Sequence, residues 1–90
     1  MSVLQKRSFS LSGHRTSIAL EKEFWCVLRH KANREASSLA AFVATIDAQR
    51  LPEHSLASLL RLIALRHAAS HGMVVFEELY SAASSEMIGR

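Results

Sequence analysis

The sequence predicts a small, mainly α-helical protein with a short β-strand, which pairs with a second copy to form a homodimer around a two-stranded ribbon. Residues 15–20 alternate polar and apolar side chains as a half-buried strand does, and helical spacing begins at Glu21 with no loop between. A single strand joined directly to a helix leaves its backbone groups unpaired. In a chain of 90 residues, the simplest partner for that strand is the same strand of another copy.

The two faces of the predicted strand differ in character. Ile18 and Leu20 point to one side, whereas Arg15, Ser17 and Ala19 point to the other. A two-stranded ribbon with a polar outer face fits the major groove of DNA. A second alternating stretch, residues 7–11, can flank this strand or remain mobile, and the glycine that follows it permits a turn or a bulge.

The composition indicates one small domain that shares apolar surface with a partner subunit. Apolar residues make up 49% of the chain, which is high for a domain with so much surface per residue. The single cysteine excludes an internal disulfide framework and favours a reducing compartment. We see no secretory signal and no apolar run long enough to span a bilayer, so a cytoplasmic location is expected.

Charge is distributed unevenly along the chain. Residues 1–34 contain seven basic and two acidic residues, whereas residues 35–90 contain four basic and six acidic residues. The half that contains the strand is therefore the basic half, as a polyanion-binding face requires. Residues 1–7 are predicted to be a flexible basic arm, and Lys6, Arg7 and His14 are candidates for contacts with DNA phosphates.

The spacing of apolar residues predicts three helices. Residues 8–72 are assigned to one domain that contains them. Helix A is expected over residues 21–35, helix B after a serine cap at Ser37 or Ser38, and helix C over residues 56–70, capped by Ser55 and stopped by Gly72. Residues 73–90 are assigned to a C-terminal tail, for which a short fourth helix is one option.

Several motifs in the right order resemble the ribbon-helix-helix family of DNA-binding proteins, in a bacterial branch. The lead-in to the ribbon reads Gly-His-Arg-Thr-Ser at residues 13–17, and Leu-Glu-x-x-Phe-Trp follows at residues 20–25. An Ile-Asp-Ala end of helix B stands at residues 46–48, and a Leu-x-Ser-x-Leu-Arg opening of helix C at residues 56–61. The resemblance covers roughly residues 6–70.

The resemblance implies an intertwined homodimer in which two antiparallel strands form an intermolecular ribbon and the helices of both chains share one core. Arg15, Ser17 and Ala19 would then face the base edges. The start of helix B, at Ser37 and Ser38, would hold a DNA phosphate on its free N–H groups. The implied dimer core comprises Ile18, Leu20, Phe24, Leu28, Leu39, Phe42, Val43 and Ile46.

Two positions depart from the family pattern. Ala19 has no hydrogen-bonding group, so one of three expected base readers can contact only a thymine methyl group. Ala36 stands where the family often uses glycine to turn between helices A and B, so we expect that turn to be built differently.

The sequence gives no sign of an enzyme, a cofactor or a metal site. His67 and His71 have the i, i+4 spacing of two ligands on one helix face, but no third ligand lies near them in sequence. Cys26 and His30 have the same spacing, and without an orienting third group we interpret Cys26 as a half-buried thiol.

These observations favour a DNA-binding homodimer that acts as a transcriptional repressor or autoregulator. A dimeric protein-interaction module without base readout is the alternative, in which helix C or the tail holds another protein. The antitoxin half of a toxin–antitoxin pair would combine both roles, with the tail wrapping a toxin. The broad apolar surface of helix C also leaves room for assembly beyond a dimer.

Overall fold

A β-hairpin packs on three helices in the computed structural model, which describes residues 3–72. None of the helices in this stretch is both long and apolar enough to cross a membrane. The elements in chain order are β1 (Leu4–Leu11), β2 (His14–Glu21), α1 (Lys22–Arg34), α2 (Leu39–Gln49) and α3 (Leu56–His71).

The two strands form an intramolecular hairpin, which corrects the prediction that β2 finds its first partner in a second copy. They pair antiparallel over their whole length, from Leu4 opposite Glu21 to Leu11 opposite His14. The two residues between them have φ angles of 51° and 81°, and positive φ at both positions is typical of the type I′ turn that joins short hairpins. Closing so short a loop orders few residues, so β1 is the nearest available partner for β2.

The first strand also begins earlier than predicted. Lys6 and Arg7 lie in β1, opposite Ala19 and Ile18, and therefore not in a flexible arm. The physical reason is that β2 continues to Glu21, so hydrogen bonding to it extends the eight-residue partner strand β1 back to Leu4.

The helix boundaries agree with the predicted caps. Helix α1 follows β2 directly. The hydroxyl oxygens of Ser38 and Ser55 accept hydrogen bonds from the backbone N–H groups of Ala41 and Ser58, each at 3.0 Å. Gly72 ends α3 in a left-handed conformation with a φ of 56°. The predicted tail, residues 73–90, lies outside the described residues.

The turn between α1 and α2 keeps a left-handed conformation although an alanine occupies it. Ala36 has a φ of 54°, and its N–H group donates to the carbonyl of Asn33 at 3.0 Å. The N–H group of Ser37 donates to the carbonyl of Ala32 at 2.9 Å, which completes the Schellman arrangement. Ala36 thus occupies the position where the family often has glycine, and its Cβ makes the same left-handed geometry sterically less favourable.

One apolar core lies between the inner face of the hairpin and the helices. Six of the eight residues predicted for a dimer core are buried within the single chain, and Phe24 and Leu39 pack partly buried against them. Whether a second chain shares that core stays a prediction. The buried hydrophobic residues are Phe9, Leu11, Ile18, Leu20, Trp25, Val27, Leu28, Ala32, Phe42, Val43, Ile46, Leu60, Ala64 and Ala68.

Candidate nucleic-acid interface

The outer face of the hairpin brings the predicted base-contact residues together with side chains of β1. Strand alternation puts every second residue of each strand on this face, and the pairing register sets them side by side. All are exposed except Ala19, which is partly buried. The set comprises Lys6, Ser8 and Ser10 from β1 and Arg15, Ser17 and Ala19 from β2.

Cross-strand hydrogen bonds organise this face. Arg15 donates from Nη1 to the hydroxyl oxygen of Ser10 at 3.2 Å, and the hydroxyls of Ser8 and Ser17 lie 3.2 Å apart. The alternation of residues 7–11 is enough to put Ser8 and Ser10 on one side of the strand. The pairing register, which the sequence does not show, places them beside Ser17 and Arg15.

A lysine lies opposite Ala19, the position that has no group to hydrogen-bond with a base. Lys6 is the cross-strand partner of Ala19, so the lysine side chain leaves the same face next to the alanine. The structure thereby moves Lys6 from a mobile arm to a fixed position among the candidate base readers.

The carboxylate at the end of β2 is already paired. Arg61 of α3 donates from Nε to Oε1 of Glu21 at 3.0 Å. A backbone hydrogen bond, then this contact, lower the pKa of Glu21, because both favour the ionised carboxyl. The negative charge of Glu21 is therefore compensated by Arg61, and Lys6 and Arg15 make the outer face positively charged.

Two other predicted phosphate contacts lie away from the outer face. Arg7 belongs to the inner face of β1, with its guanidinium carbon 5.5 Å from the centre of the Trp25 ring. His14 is exposed at the tip of the hairpin, opposite Leu11. Neither side chain shares the face that carries Arg15.

The remaining predicted phosphate contacts lie at the start of α2. Ser38 caps the helix, and the hydroxyl of Ser37 donates to the carbonyl of Ser38 at 3.0 Å. The first turn of α2 contains no acidic residue. The amides of Leu39 and Ala40 have no acceptor within their own helix, as at any helix N-terminus, so they can donate to an anion.

A histidine cluster joins α1 to α3. His30 Nδ1 and His67 Nε2 lie 2.8 Å apart, and the rings of His67 and His71 are centred 4.1 Å from each other. Burial, followed by the charges of His71 and Lys31, lowers the pKa of His67. Among residues 3–72, no group of three histidine, cysteine or acidic side chains is placed to hold a metal ion.

The structure corrects the prediction for the lone thiol. Cys26 is exposed rather than half-buried. The ring of His30 contacts that of His67 on α3, which explains why the i, i+4 spacing on α1 creates no thiol–imidazole pair.

A family model described as a ribbon-helix-helix domain matches residues 4–68. The match takes in both strands, α1, α2 and most of α3, and it confirms the resemblance inferred from the motifs. No curated protein and no solved structure matches the chain.

Proposed function

Because the chain belongs to the ribbon-helix-helix family, whose members typically bind DNA as dimers, we propose that it is a DNA-binding transcriptional repressor or autoregulator. The family is non-catalytic. The outer face of the hairpin is the observation that supports the proposal most directly, since it presents Arg15 and Ser17 in the open beside Lys6. These side chains match the donors and acceptors of base edges.

In the proposed dimer, β2 pairs with β2 of the other subunit through the edge that β1 leaves free. The sheet of the described chain has the order β1–β2, so the second edge of β2 carries no strand there. Antiparallel pairing across that edge gives a four-stranded sheet with both β2 strands at its centre. The two central strands then take the role of the intermolecular ribbon.

The outward side chains of the two central strands would reach into the major groove and read bases. The guanidinium of Arg15 can bind O6 and N7 of guanine, and the hydroxyl of Ser17 can donate or accept. Ser10 holds Arg15 from the neighbouring strand, which reduces the freedom that the arginine loses on binding. Ala19 contributes at most a contact with a thymine methyl group.

Contacts with the DNA phosphate backbone would fix the position of the dimer along the DNA. The amides at the start of α2, flanked by Ser37 and Ser38, suit a phosphate, and Lys6 and His14 add charge and hydrogen bonding near the hairpin. Contacts of this kind make affinity depend steeply on salt.

Binding is tested by fluorescence anisotropy of the full chain with a labelled duplex from its own upstream region, beside a scrambled duplex. We expect a preference for the upstream duplex that survives near-physiological salt. Arg15→Ala should weaken that binding by about 30-fold or more, because it removes a bidentate base contact worth about 1–3 kcal/mol from each of the two subunits. Arg66→Ala, which removes an exposed arginine of α3, is the matched control and should have little effect.

Equal binding of both duplexes that disappears with salt would leave only general affinity for polyanions and would overturn the repressor proposal. An unchanged affinity of the Arg15 variant would overturn the assignment of the base-reading face.

The dimer arrangement is tested by disulfide cross-linking in a Cys26→Ser background. Three variants each carry a single cysteine on the strand next to the proposed two-fold axis, at Arg15, Ser17 or Ala19. The cysteine that lies opposite its own copy should form a disulfide between the subunits. Ser8→Cys lies on the same face but on the outer strand, so it should not cross-link. Cross-linking of Ser8→Cys in place of all three would show that β1, and not β2, lies at the dimer axis.

A protein-interaction or antitoxin-like role is the second candidate, favoured by one observation on α3. Leu62 and Leu65 lie one turn apart and are 58% and 53% exposed. Such a pair suits a helix-in-groove contact with another protein. Binding of a partner through these leucines should withstand salt and the loss of Arg15, whereas DNA binding should not.

A further inference from the structure

Helix α3 has a second apolar strip, on the side that faces away from the core. Its inner side buries residues such as Leu60 and Ala64. Four residues on the opposite side follow the i, i+4, i+7, i+11 spacing of the contact between two packed helices, and all four are exposed. Leucines exposed side by side on one helix face are typical of a surface that another element covers. We call this strip the leucine seam, and it comprises Ser58, Leu62, Leu65 and Ala69.

The chain leaves α3 at a turn that can bring it back over the leucine seam. Gly72 ends the helix with a left-handed φ of 56°, and a loop of about 2–5 residues is enough to join two antiparallel helices. At about 1.5 Å per residue, the 16 residues of α3 span about 24 Å, and residues 73–90 as a helix would span about 27 Å. The segment after Gly72 is therefore long enough to run back along the whole seam.

The sequence after Gly72 repeats the spacing of the leucine seam. Four of its residues stand at i, i+4, i+7 and i+11. In an antiparallel register that reverses between Gly72 and Met73, each of these four lies level with one residue of the seam. A large side chain meets a small one in three of the four pairs, which is how facing helices interdigitate. The pairs are Phe76 with Ala69, Tyr80 with Leu65, Ala83 with Leu62 and Met87 with Ser58.

Charge favours this segment over a second copy of α3 as the occupant of the seam. Residues 73–90 contain three acidic residues and one basic residue, whereas residues 3–72 contain ten basic and five acidic residues. The exposed Arg66 flanks the seam, and the antiparallel register brings Glu77 to the same side of the contact. A second copy of α3 has no acidic residue to offer Arg66, because Leu56–His71 contains none.

We infer that residues 76–87 dock as a helix, antiparallel to α3, on the leucine seam of their own subunit. The contact is an autoinhibitory cover, because the segment occupies Leu62 and Leu65, the two leucines that a protein partner would need. Such a partner has to displace the segment before it can bind. The outer face of the hairpin stays open, so the cover regulates the second candidate role and leaves DNA binding unaffected.

Disulfide trapping in the full chain tests the register. In a Cys26→Ser background, the Leu65→Cys/Tyr80→Cys variant places two cysteines level with each other, and they should form a disulfide within one chain. The Thr45→Cys/Tyr80→Cys variant is the matched control and should stay reduced, because Thr45 is exposed on α2, away from the seam. Non-reducing electrophoresis with mass spectrometry distinguishes a disulfide within one chain from a disulfide between two.

Amide hydrogen exchange gives a second readout that needs no added cysteine. In the wild-type chain, the amides of residues 76–87 should exchange about tenfold or more slowly than those of an unstructured peptide of the same sequence, because a docked helix hydrogen-bonds them. Leu65→Asp puts a charge into the seam and should remove that protection. Leu51→Asp is the matched control and should retain it, because Leu51 is also 53% exposed but lies outside α3.

The outcomes separate this cover from other occupants of the seam. A Leu65→Cys/Tyr80→Cys disulfide that joins two chains would assign the seam to a second copy and overturn the inference. Unprotected amides in residues 76–87, or protection that Leu65→Asp leaves in place, would show that the segment does not cover the leucines and would also overturn it. Both measurements are made without DNA, so their failure leaves the proposed DNA-binding function standing.

Discussion

The β-hairpin and the contact between α1 and α3 share one apolar core, but only the second also buries a histidine. The inner face of the hairpin packs apolar side chains such as Ile18 and Leu20, which are almost wholly buried. The contact between α1 and α3 contains a cluster of three histidines, of which His67 is buried. Both regions should respond to changes in side-chain volume, and the second should respond to pH as well. Since the proposed DNA-binding face belongs to the first, folding and binding can be perturbed separately there.

The largest expected effect comes from removing volume beneath the hairpin. Leu20 is 0% exposed, so Leu20→Ala should lower the free energy of unfolding by about 2–5 kcal/mol through lost burial and the cavity left behind. Ala19→Ser alters the neighbouring residue on the outer face and should change it by less than about 0.5 kcal/mol. Urea denaturation measures both. Similar losses for the two variants would contradict the division of the hairpin into a structural and a functional face.

Acidification should weaken the contact between α1 and α3. The pKa of His67 is lowered in the fold, so the unfolded chain binds more protons below the ordinary value of 6.5. Stability is therefore full above pH 6.5 and falls as the pH drops below it toward the lowered pKa. Protonation would add charge beside His30, His71, Lys31 and Arg34. Glu35, which follows α1, already pairs with Lys31 at 2.9 Å.

Thermal unfolding between pH 7.5 and 5 checks this expectation. His67→Gln should remove most of the loss within that window, whereas His14→Gln, at the exposed hairpin tip, should retain it. Glu21 has a lowered pKa as well, but its contribution is lost only below its ordinary value of 4.5 and so lies outside the window. An unchanged pH profile for the His67 variant would assign the loss to other groups.

The sequence alone predicted the features that are encoded locally, within a short stretch of residues. The switch from strand to helix at Glu21, the caps at Ser38 and Ser55 and the stop at Gly72 each depend on a few adjacent residues. The face that carries Arg15 follows from alternation alone.

Features set by pairing at a distance were missed. The reach of β1 to Leu4 depends on a ladder with residues up to Glu21. The glycine at residue 13 permitted a turn or a bulge, but the sequence alone did not show that a turn there closes a hairpin. The contact of His30 with His67 joins residues 37 apart, and no local pattern encodes it. The place of Arg7 against Trp25 was hidden for the same reason.

A smaller effect is expected at the turn that follows α1. Ala36 has a φ of 54°, where a Cβ costs about 1–2 kcal/mol, and glycine relieves that cost but loses about 0.4–1 kcal/mol through a freer unfolded chain. Ala36→Gly should therefore stabilise the fold by about 0.5–1 kcal/mol and raise Tm by a few degrees. Ala40→Gly, in the first turn of α2, is the control and should destabilise. A drop in Tm for Ala36→Gly would contradict the left-handed turn.

An equally small effect is expected in the hairpin turn, and it distinguishes two ways of forming the dimer. Ser12 has a φ of 51°, and asparagine followed by Gly13 is the preferred pair for such a turn, so Ser12→Asn should stabilise the hairpin by about 0.5–1 kcal/mol. If β2 pairs with its copy through the free edge, a firmer hairpin leaves the dimer dissociation constant unchanged or lowers it. If β1 must leave β2 to admit a strand from the other subunit, the same substitution raises that constant. Sedimentation equilibrium measures the constant, and an increase would show that the hairpin and the intermolecular ribbon compete for one edge of β2.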